Sequence, residues 1–269
     1  MPDPRLKDAV AWISGGASGI GEGVARLFAA EGAAVAVVDQ QEGAGRRVAD
    51  QITASGGRAL FIQCDVSNDE QVRKSVELTT GRWGSLQIIV NCAGITHVKP
   101  LHEHTEQDWD RLMGVNLKSI FLSTKHGIAY LRKNKRSYIV NIGSISCMVG
   151  QAVTPAYCAS KGAVLPLTRC IALDYAVDGV RCNCVCPGIT DTPMLRKHLS
   201  HAPDPEGALR ERLKRVPIGI ALTPHDIAKS VLYFSCEDSA GVTGTSLVID
   251  GGYIATAEWH TDRTKFMEE

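Results

Sequence analysis

The chain has 269 residues, and its 29 Lys and Arg residues balance 29 Asp and Glu residues, so its formal net charge is zero. A neutral chain without a basic block is a poor candidate for nucleic-acid binding, and no apolar run approaches the roughly 20 residues of a membrane span. The N-terminus lacks the pattern of a secretory signal. We therefore interpret the nine scattered cysteines as free thiols and expect a cytoplasmic protein.

Seven apolar, β-rich runs alternate with helical patterns along the chain. They cover residues 9–14, 33–39, 59–65, 86–91, 138–143, 180–186 and 246–250. Most are continuously apolar, which is typical of strands buried on both faces in a parallel sheet. We predict a single α/β domain with a doubly wound parallel sheet of about seven strands and helices on both faces. The proline-rich segment 188–223 is expected to form a mobile substrate lid, and residues 253–269 a C-terminal tail.

The first predicted strand leads into a glycine-rich turn, SGGASGIG at residues 14–21, and a helix is predicted from Gly19 to Ala30. Such a turn lets the backbone approach a pyrophosphate, and the helix N-terminus supplies N–H donors. Asp39 ends the second strand, where a carboxylate accepts the ribose hydroxyls of NAD and repels the 2′-phosphate of NADP. Together these features predict a Rossmann-like domain that binds NAD, against the alternative of a tight turn without a ligand.

Further motifs follow in a fixed order. They are Asn91-Cys92-Ala93-Gly94, Ser144 thirteen residues before Tyr157, Tyr157-Cys158-Ala159-Ser160-Lys161, Pro187-Gly188 and Asp250-Gly251-Gly252. With the glycine turn, they resemble the motifs of the classical short-chain dehydrogenase/reductase family over nearly the whole chain. The resemblance implies four catalytic residues: Asn116, Ser144, Tyr157 and Lys161. It also implies, together with the glycine turn, these cofactor-binding residues: Gly15, Ser18, Gly19, Ile20, Gly21, Asp39, Asp65, Val66, Asn91, Ala93, Gly94, Tyr157, Lys161, Pro187, Gly188, Ile189 and Thr192.

The spacing of Tyr157 and Lys161 has a chemical meaning of its own. Residues four apart share one face of a helix. A free tyrosine is seldom ionised at pH 7, but a nearby lysine cation and an oxidised nicotinamide both favour the phenolate. Tyr157 is then able to take the proton of an alcohol while hydride leaves for the nicotinamide. By resemblance, Ser144 orients the reacting oxygen and Asn116 holds a water that relays protons from Lys161.

Two residues depart from what the family motifs or a regular helix require. Cys92 replaces the second asparagine of the family's N-N-A-G motif, with the loss of one amide's hydrogen bonds. Pro166 lies in the helix of Tyr157 and removes the bond to the carbonyl of Gly162, so a kink one turn beyond Lys161 is expected. By resemblance, the helices near 106–134 and 155–177 pack against other copies in a homotetramer, and the tail with Trp259 reaches a neighbouring subunit.

The substrate is expected to be a secondary alcohol or ketone, either a sugar, a polyol or a small hydroxy acid. Cations of the predicted lid, Arg196, Lys197, His198 and Arg210, are candidates to pair with a substrate anion, against the alternative of a solvated lid face. His97 is a further candidate substrate contact. A 3-oxoacyl-carrier-protein-type reductase and a non-catalytic NAD-binding scaffold or sensor remain alternatives.

We expect no metal site in the chain. Cys182, Cys184 and Cys186 alternate on a strand, and same-face residues there lie roughly 6–7 Å apart, too far for sulfurs around one zinc ion. His97, His102 and His104 have a spacing that permits a metal, but we interpret them as part of a polar loop at the mouth of the active site.

Overall fold

The computed structural model describes residues 3–256. Seven parallel strands form one sheet in the order β3-β2-β1-β4-β5-β6-β7. Their bounds are β1 Val10–Ser14, β2 Ala34–Asp39, β3 Arg58–Gln63, β4 Ile88–Asn91, β5 Ser137–Ile142, β6 Val180–Pro187 and β7 Ser246–Ile249. Each lies within two residues of its predicted run, so the doubly wound parallel sheet is confirmed.

Helices connect the strands and cover both faces of the sheet. Their bounds are α1 Gly19–Ala30, α2 Glu42–Ala54, α3 Asp69–Trp83, α4 Glu106–Met113, α5 Ser119–Leu131, α6 Pro155–Gly162, α7 Val164–Tyr175, α8 Pro193–Leu199, α9 Pro205–Leu213 and α10 Pro224–Tyr233. No helix within residues 3–256 is both long and apolar enough to cross a bilayer.

The sheet separates two apolar cores. Alternate residues of a strand point to opposite faces, so Ala11 and Ile13 of β1 pack with α1, α2 and α10, whereas Val10 and Trp12 pack with α3, α5 and α7. The strands are continuously apolar because each strand fills both cores. The indole N–H of Trp12 still finds an acceptor, the hydroxyl of Ser75 at 3.0 Å.

Two predicted long helices are interrupted next to candidate site residues. The helix of Tyr157 breaks at Ala163, between α6 and α7. Pro166, in the first turn of α7, has no N–H to donate to Gly162, which accounts for an interruption near the position of the predicted kink. Between α4 and α5 lies one turn of π-helix, Gly114–Lys118, which contains Asn116 and was not predicted.

The predicted lid segment 188–223 is more regular than its prolines suggested. Pro193 and Pro205 begin α8 and α9, positions where a missing N–H costs nothing. The two ends of the segment are joined, because Asp191 N donates to the carbonyl oxygen of Leu222 at 2.8 Å. These prolines start helices rather than preventing them, and the role of the segment as a mobile lid stays a prediction. The predicted tail lies outside the described residues beyond Thr256, and so does Trp259.

Candidate active site

The glycine turn and Asp39 meet at the carboxyl ends of β1 and β2. Gly15 has φ +66°, and a Cβ there would lie 2.8 Å from the backbone of Ala93, so only glycine fits beside the segment that follows β4. A Cβ on Gly21 would lie 2.1 Å from the carbonyl oxygen of Gly15. Gly21 therefore lets α1 pack against the turn, and it does not line the cavity described next.

A cavity of about 350 Å³ opens where the carboxyl ends of the parallel strands meet α8 and α9. Three of the four predicted catalytic residues line it: Ser144, Tyr157 and Lys161. The predicted cofactor residues that line it are Gly15, Ser18, Gly19, Ile20, Asp39, Asp65, Val66, Ala93, Gly94, Tyr157, Lys161, Pro187, Gly188, Ile189 and Thr192. This is the crevice position in which open α/β sheets bind their ligands.

Asp39 is held in place by the turn that it faces. One carboxylate oxygen accepts from Ala17 N at 3.2 Å, and the other accepts from Gln41 N at 3.0 Å. The side chain is buried but still lines the cavity. Arg46 pairs with Glu42 on the exposed side of α2 and does not line the cavity. The only ionic group of the 39–41 segment in the cavity wall is thus the carboxylate of Asp39.

Ser14, at the start of the glycine turn, joins β1 to β4. Its hydroxyl donates to the carbonyl oxygen of Val90 at 3.4 Å and accepts from the N–H groups of Cys92 and Ala93 at 3.1 and 3.2 Å. Burial raises the pKa of the Cys92 thiol to about 12, so this thiol stays neutral. Cys92 is therefore a small wall residue of the cavity and not a nucleophile.

Asn91 belongs to a buried polar chain behind the cavity. Its amide donates to Asn141 at 2.8 Å and accepts from the hydroxyl of Ser123 at 2.7 Å. Asn141 in turn donates to Thr168 at 2.9 Å. Asn91 does not line the cavity, and its side chain instead connects β4, β5, α5 and α7.

The groups expected to carry the chemistry are fixed by backbone contacts. Lys161 is buried, and its ammonium donates to the carbonyl oxygen of Ile142 at 2.6 Å. Ser144 accepts from Ser146 N at 3.1 Å, which orients its hydroxyl beside β5. Because Tyr157 lies one turn before Lys161 on α6, both side chains reach the same end of the cavity.

Asn116 lies just behind this cluster in the π-helical turn. Its Oδ1 accepts from Ile95 N at 2.8 Å, and its Nδ2 donates to Ile95 O at 3.0 Å and to Ser160 at 2.9 Å. A Cβ added at Gly94 would lie 3.6 Å from Asn116 Oδ1 and 3.7 Å from Lys161 Nζ. The amide and the ammonium therefore flank the bare Cα of Gly94.

The predicted lid cations differ in where they point. Arg196 pairs with Asp191 at 2.9 Å, and Arg210 lies 3.5 Å from Asp204, both in exposed positions outside the cavity lining. Lys197 is exposed and also outside that lining, whereas His198 is half-buried and lines the cavity. Of the four predicted cations, the structure therefore brings only His198 to the site.

Arg212 is a cavity residue that the sequence did not reveal. Its guanidinium donates to Nε2 of His198 at 2.6 Å, and no carboxylate within residues 3–256 pairs with it. Because an arginine has no acceptor, His198 accepts in its neutral form. Burial, with the nearby Arg212 charge, lowers the pKa of His198. Arg210 and Arg212 lie about 200° apart around a helix, so predicting Arg210 selected the opposite face of α9.

His97 does not line the cavity. It lies in the segment after β4, where its ring stacks on His104 with ring centroids 6.2 Å apart. The residues of this segment that do line the cavity are Ile95 and Thr96. Three uncharged polar residues complete the wall on the substrate side: Thr96, Gln151 and Thr154.

Known proteins resemble the chain over nearly its whole length. A family model described as enoyl-(acyl carrier protein) reductase matches residues 15–254. The 2-(S)-hydroxypropyl-CoM dehydrogenase 3 of Xanthobacter autotrophicus is 38% identical, with 93% of this chain and 98% of that protein covered. The cis-4-hydroxycyclohexanecarboxylate dehydrogenase of Sinomonas cyclohexanicum is 36% identical, with 92% and 97% covered.

A solved structure shows the same fold. The ligand-free aldohexose dehydrogenase of Thermoplasma acidophilum superposes with a TM-score of 0.87 at 31% identity, and the match covers 96% of this chain and 99% of that one. These similarities extend through the glycine turn, α6 and α8–α9. The chain therefore belongs to the short-chain dehydrogenase/reductase family, a family of oxidoreductases that use nicotinamide cofactors.

Proposed function

We propose that the protein is an NAD-dependent dehydrogenase that interconverts a secondary alcohol and a ketone, with Tyr157 as the general acid/base. One observation carries the proposal: Ser144, Tyr157 and buried Lys161 line the same cavity as the carboxylate of Asp39. The first three groups supply the means to move a proton at an alcohol oxygen. Asp39 supplies a ribose acceptor that disfavours NADP.

The residues present fit a dinucleotide. The glycine turn brings the backbone and the N-terminus of α1 to the cavity, where a pyrophosphate binds favourably. Asp39 would hold the adenosine ribose, and Asp65 with Val66 would flank the adenine. Lys161 would hold the nicotinamide ribose, beside Pro187–Gly188. When bound, the nicotinamide supplies the acceptor or donor of the hydride.

Each of the four predicted catalytic residues has one task in this mechanism. Ser144 donates a hydrogen bond to the reacting oxygen and orients it. Tyr157 takes the proton from the alcohol oxygen in oxidation and returns it to the ketone oxygen in reduction. The ammonium of Lys161, held by Ile142 O, favours the phenolate form of Tyr157. Asn116, across Gly94 from Lys161, positions a water that passes the proton to solvent.

The substrate class follows from the opposite wall of the cavity. Arg212 brings a positive charge to the cavity, and within the described part of the chain its polar partner is the neutral His198 rather than an acid. A substrate carboxylate or another anion is the natural partner for such a guanidinium. The relative from Sinomonas is named for a hydroxycyclohexanecarboxylate, which carries both an alcohol and a carboxylate. A small hydroxy acid therefore fits better than a neutral sugar or polyol.

The test is a reduction assay with NAD and with NADP over matched secondary alcohols. Cyclic and linear hydroxy acids are compared with their uncharged amide or methyl ester analogues at equal concentration. We expect turnover with NAD and a higher kcat/KM for the acid in each pair. In the reverse direction, a preference for NADPH over NADH with oxoacyl thioesters would favour the carrier-protein reductase instead. NAD binding without turnover of any alcohol or ketone would favour a non-catalytic scaffold or sensor.

The homotetramer predicted from the family belongs to the same proposal. Large apolar side chains are exposed on the two helices expected at interfaces, with Phe121 of α5 52% exposed and Leu173 of α7 78% exposed. Burying such side chains against another copy is favourable. Light scattering at assay concentration is expected to give four times the 28.9 kDa chain mass, and a monomer would contradict it. The cytoplasmic location also stays a prediction from the sequence.

A further inference from the structure

The segment between β4 and α4 carries polar groups that the proposed reaction does not use. His97 and His104 stack with an angle of 18° between their rings, and Asp108 lies in the first turn of α4 beside them. Ligand atoms of these three side chains all lie within 4.8 Å of one another. All three side chains are half-buried, and none of them lines the cavity.

Three imidazole nitrogens in this cluster are buried without a hydrogen-bond partner among the described residues. They are Nδ1 of His97 and both Nδ1 and Nε2 of His104. A buried polar atom without a partner costs free energy, so native proteins rarely leave one unpaired. A cation bound between the two rings and the carboxylate would give the unpaired nitrogens a partner.

Asp108 is the third ligand. Its Oδ2 accepts from Lys99 Nζ at 2.6 Å and from Thr105 N at 3.2 Å, while its Oδ1 lies 3.5 Å from His97 Nδ1. The Lys99 ammonium holds the pKa of the Asp108 carboxyl well below its ordinary range, so the carboxylate is ionised. Oδ1 is then available for a cation while Oδ2 keeps the cap of α4.

We propose that His97, His104 and Asp108 bind a divalent transition metal ion of the zinc class. Two imidazole nitrogens and one carboxylate oxygen are a ligand set typical of Zn²⁺, and a fourth position is left for water. Tetrahedral bonds of about 2.0–2.1 Å need ligand atoms roughly 3.4 Å apart. The His97–Asp108 pair already has this spacing, and the ligand nitrogen of His104, within 4.8 Å of both, would have to move closer on binding. This replaces the expectation from sequence that the histidines only line the active-site mouth.

The metal would fix the conformation of the segment from His97 to Asp108, which is hydrogen-bonded to the backbone beside the cavity. Lys99 N donates to the carbonyl oxygen of Val153 at 2.7 Å, two residues after His97 in the same segment. Val153 has φ +54°, a left-handed conformation that a β-branched residue avoids, and it directly precedes Thr154 in the cavity wall. A clamp on the 97–108 segment therefore stabilises the strained backbone that leads to Tyr157.

The test is titration of the untagged, chelator-treated full-length protein with Zn²⁺ by calorimetry and with Co²⁺ by visible absorption. We expect one metal ion bound per protein chain and d–d absorption bands typical of tetrahedral Co²⁺. We also expect a melting temperature that rises with Zn²⁺ concentration. His97→Ala and His104→Ala should each weaken binding at least about tenfold. Circular dichroism and NAD binding verify that the variants fold. If His104→Ala does not fold, Asp108→Asn takes its place as the second variant.

Two neighbouring residues provide controls. His102 is 83% exposed in the same segment, and His102→Ala should bind the metal like the wild type. Lys99→Gln removes the ammonium that competes for Asp108, so binding should tighten about two- to fivefold, as expected for a partly exposed ion pair. Absence of binding below about 1 mM metal would overturn the proposal. Equal affinity of the wild type and the His97→Ala/His104→Ala double variant would overturn it as well.

Discussion

The two walls of the cavity hold their polar groups differently. On the wall formed by the strand ends and α6, the polar groups of Asp39, Ser144 and Lys161 are buried and bonded to backbone atoms. On the wall formed by α8 and α9, the cations Arg196 and Arg210 pair with acids in exposed positions. Only the Arg212–His198 pair of this helical wall reaches the cavity with charge available.

This difference indicates that the strand-end wall carries the chemical step and that the helical wall selects the substrate. Groups that must hold a reacting oxygen benefit from fixed positions, because a misplacement of about 1 Å is costly to catalysis. The helices of the other wall are less deeply packed, because α8 buries only Leu199 and α9 buries no residue. Changes there should alter which substrate binds and leave the chemical step intact.

The largest expected effect is on the strand-end wall. Tyr157→Phe removes the oxygen that moves the proton but leaves the ring to pack, so kcat should fall by about 10²–10⁴-fold. NAD affinity, measured by calorimetry, should change less than about threefold. Tyr233→Phe on α10, outside the cavity, is the matched control. A Tyr157→Phe variant within a few-fold of wild type in a chemistry-limited assay would remove Tyr157 from the mechanism.

A second change on the same wall tests the cofactor. Asp39→Ala with Gln40→Arg removes a carboxylate and adds a phosphate partner, so the ratio of kcat/KM for NADP to that for NAD should rise about ten- to a hundredfold. Gln40→Arg alone keeps the repulsion and should shift the ratio less. Because Asp39 also binds Ala17 N and Gln41 N, the melting temperature is measured in parallel. A wild-type protein that already prefers NADP would show that the interpretation of Asp39 is wrong.

The helical wall should respond only to the charge of the substrate. Arg212→Gln removes a charge-assisted contact, so kcat/KM for a hydroxy acid should fall about tenfold or more, while its uncharged amide analogue should change less than about twofold. Arg196→Gln removes an equal charge that is paired with Asp191 outside the cavity, and should leave both substrates unaffected. Equal losses on the acid and the amide would mean that Arg212 only folds α9.

The strand-end wall was also the more predictable of the two. Its residues follow the ends of strands, at spacings that match the family motifs. The strands were predicted from continuous apolar runs, and their order brings Gly15, Asp39 and Gly94 to one edge of the sheet. The helical wall was not predicted in detail. Whether Arg210 or Arg212 faces the cavity depends on where α9 begins, and the prolines of this segment suggested a loop rather than helix starts.

Features caused by residues near in sequence were also more predictable than features that depend on contacts between distant elements. The helix interruption beyond Lys161 was predictable because a missing N–H on Pro166 acts within its own helix. The π-helical turn at Asn116 and the chain through Asn91, Asn141 and Thr168 were not, because their partners lie on distant elements. The resemblance placed Asn91 at the cofactor. The contact that its side chain makes with the neighbouring strand cannot be recognised from the sequence around Asn91.

The smallest expected effect on turnover comes from the polar chain behind the strand-end wall. Asn91→Leu leaves Oδ1 of Asn141 buried without its donor at 2.8 Å. The hydroxyl of Ser123 loses Asn91 at 2.7 Å but keeps the carbonyl oxygen of Ile120 at 3.1 Å. An unpaired buried group costs about 1–3 kcal/mol, so the free energy of unfolding should fall by at least about 1 kcal/mol in urea denaturation. Because the side chain does not line the cavity, kcat/KM below the melting temperature should stay within about twofold of wild type. Ser123→Ala, which removes one donor from Asn91, should cost less than Asn91→Leu. A large rise in KM for NAD without a loss of stability would instead return Asn91 to the cofactor site, and would show that this wall is less rigid than its hydrogen bonds indicate.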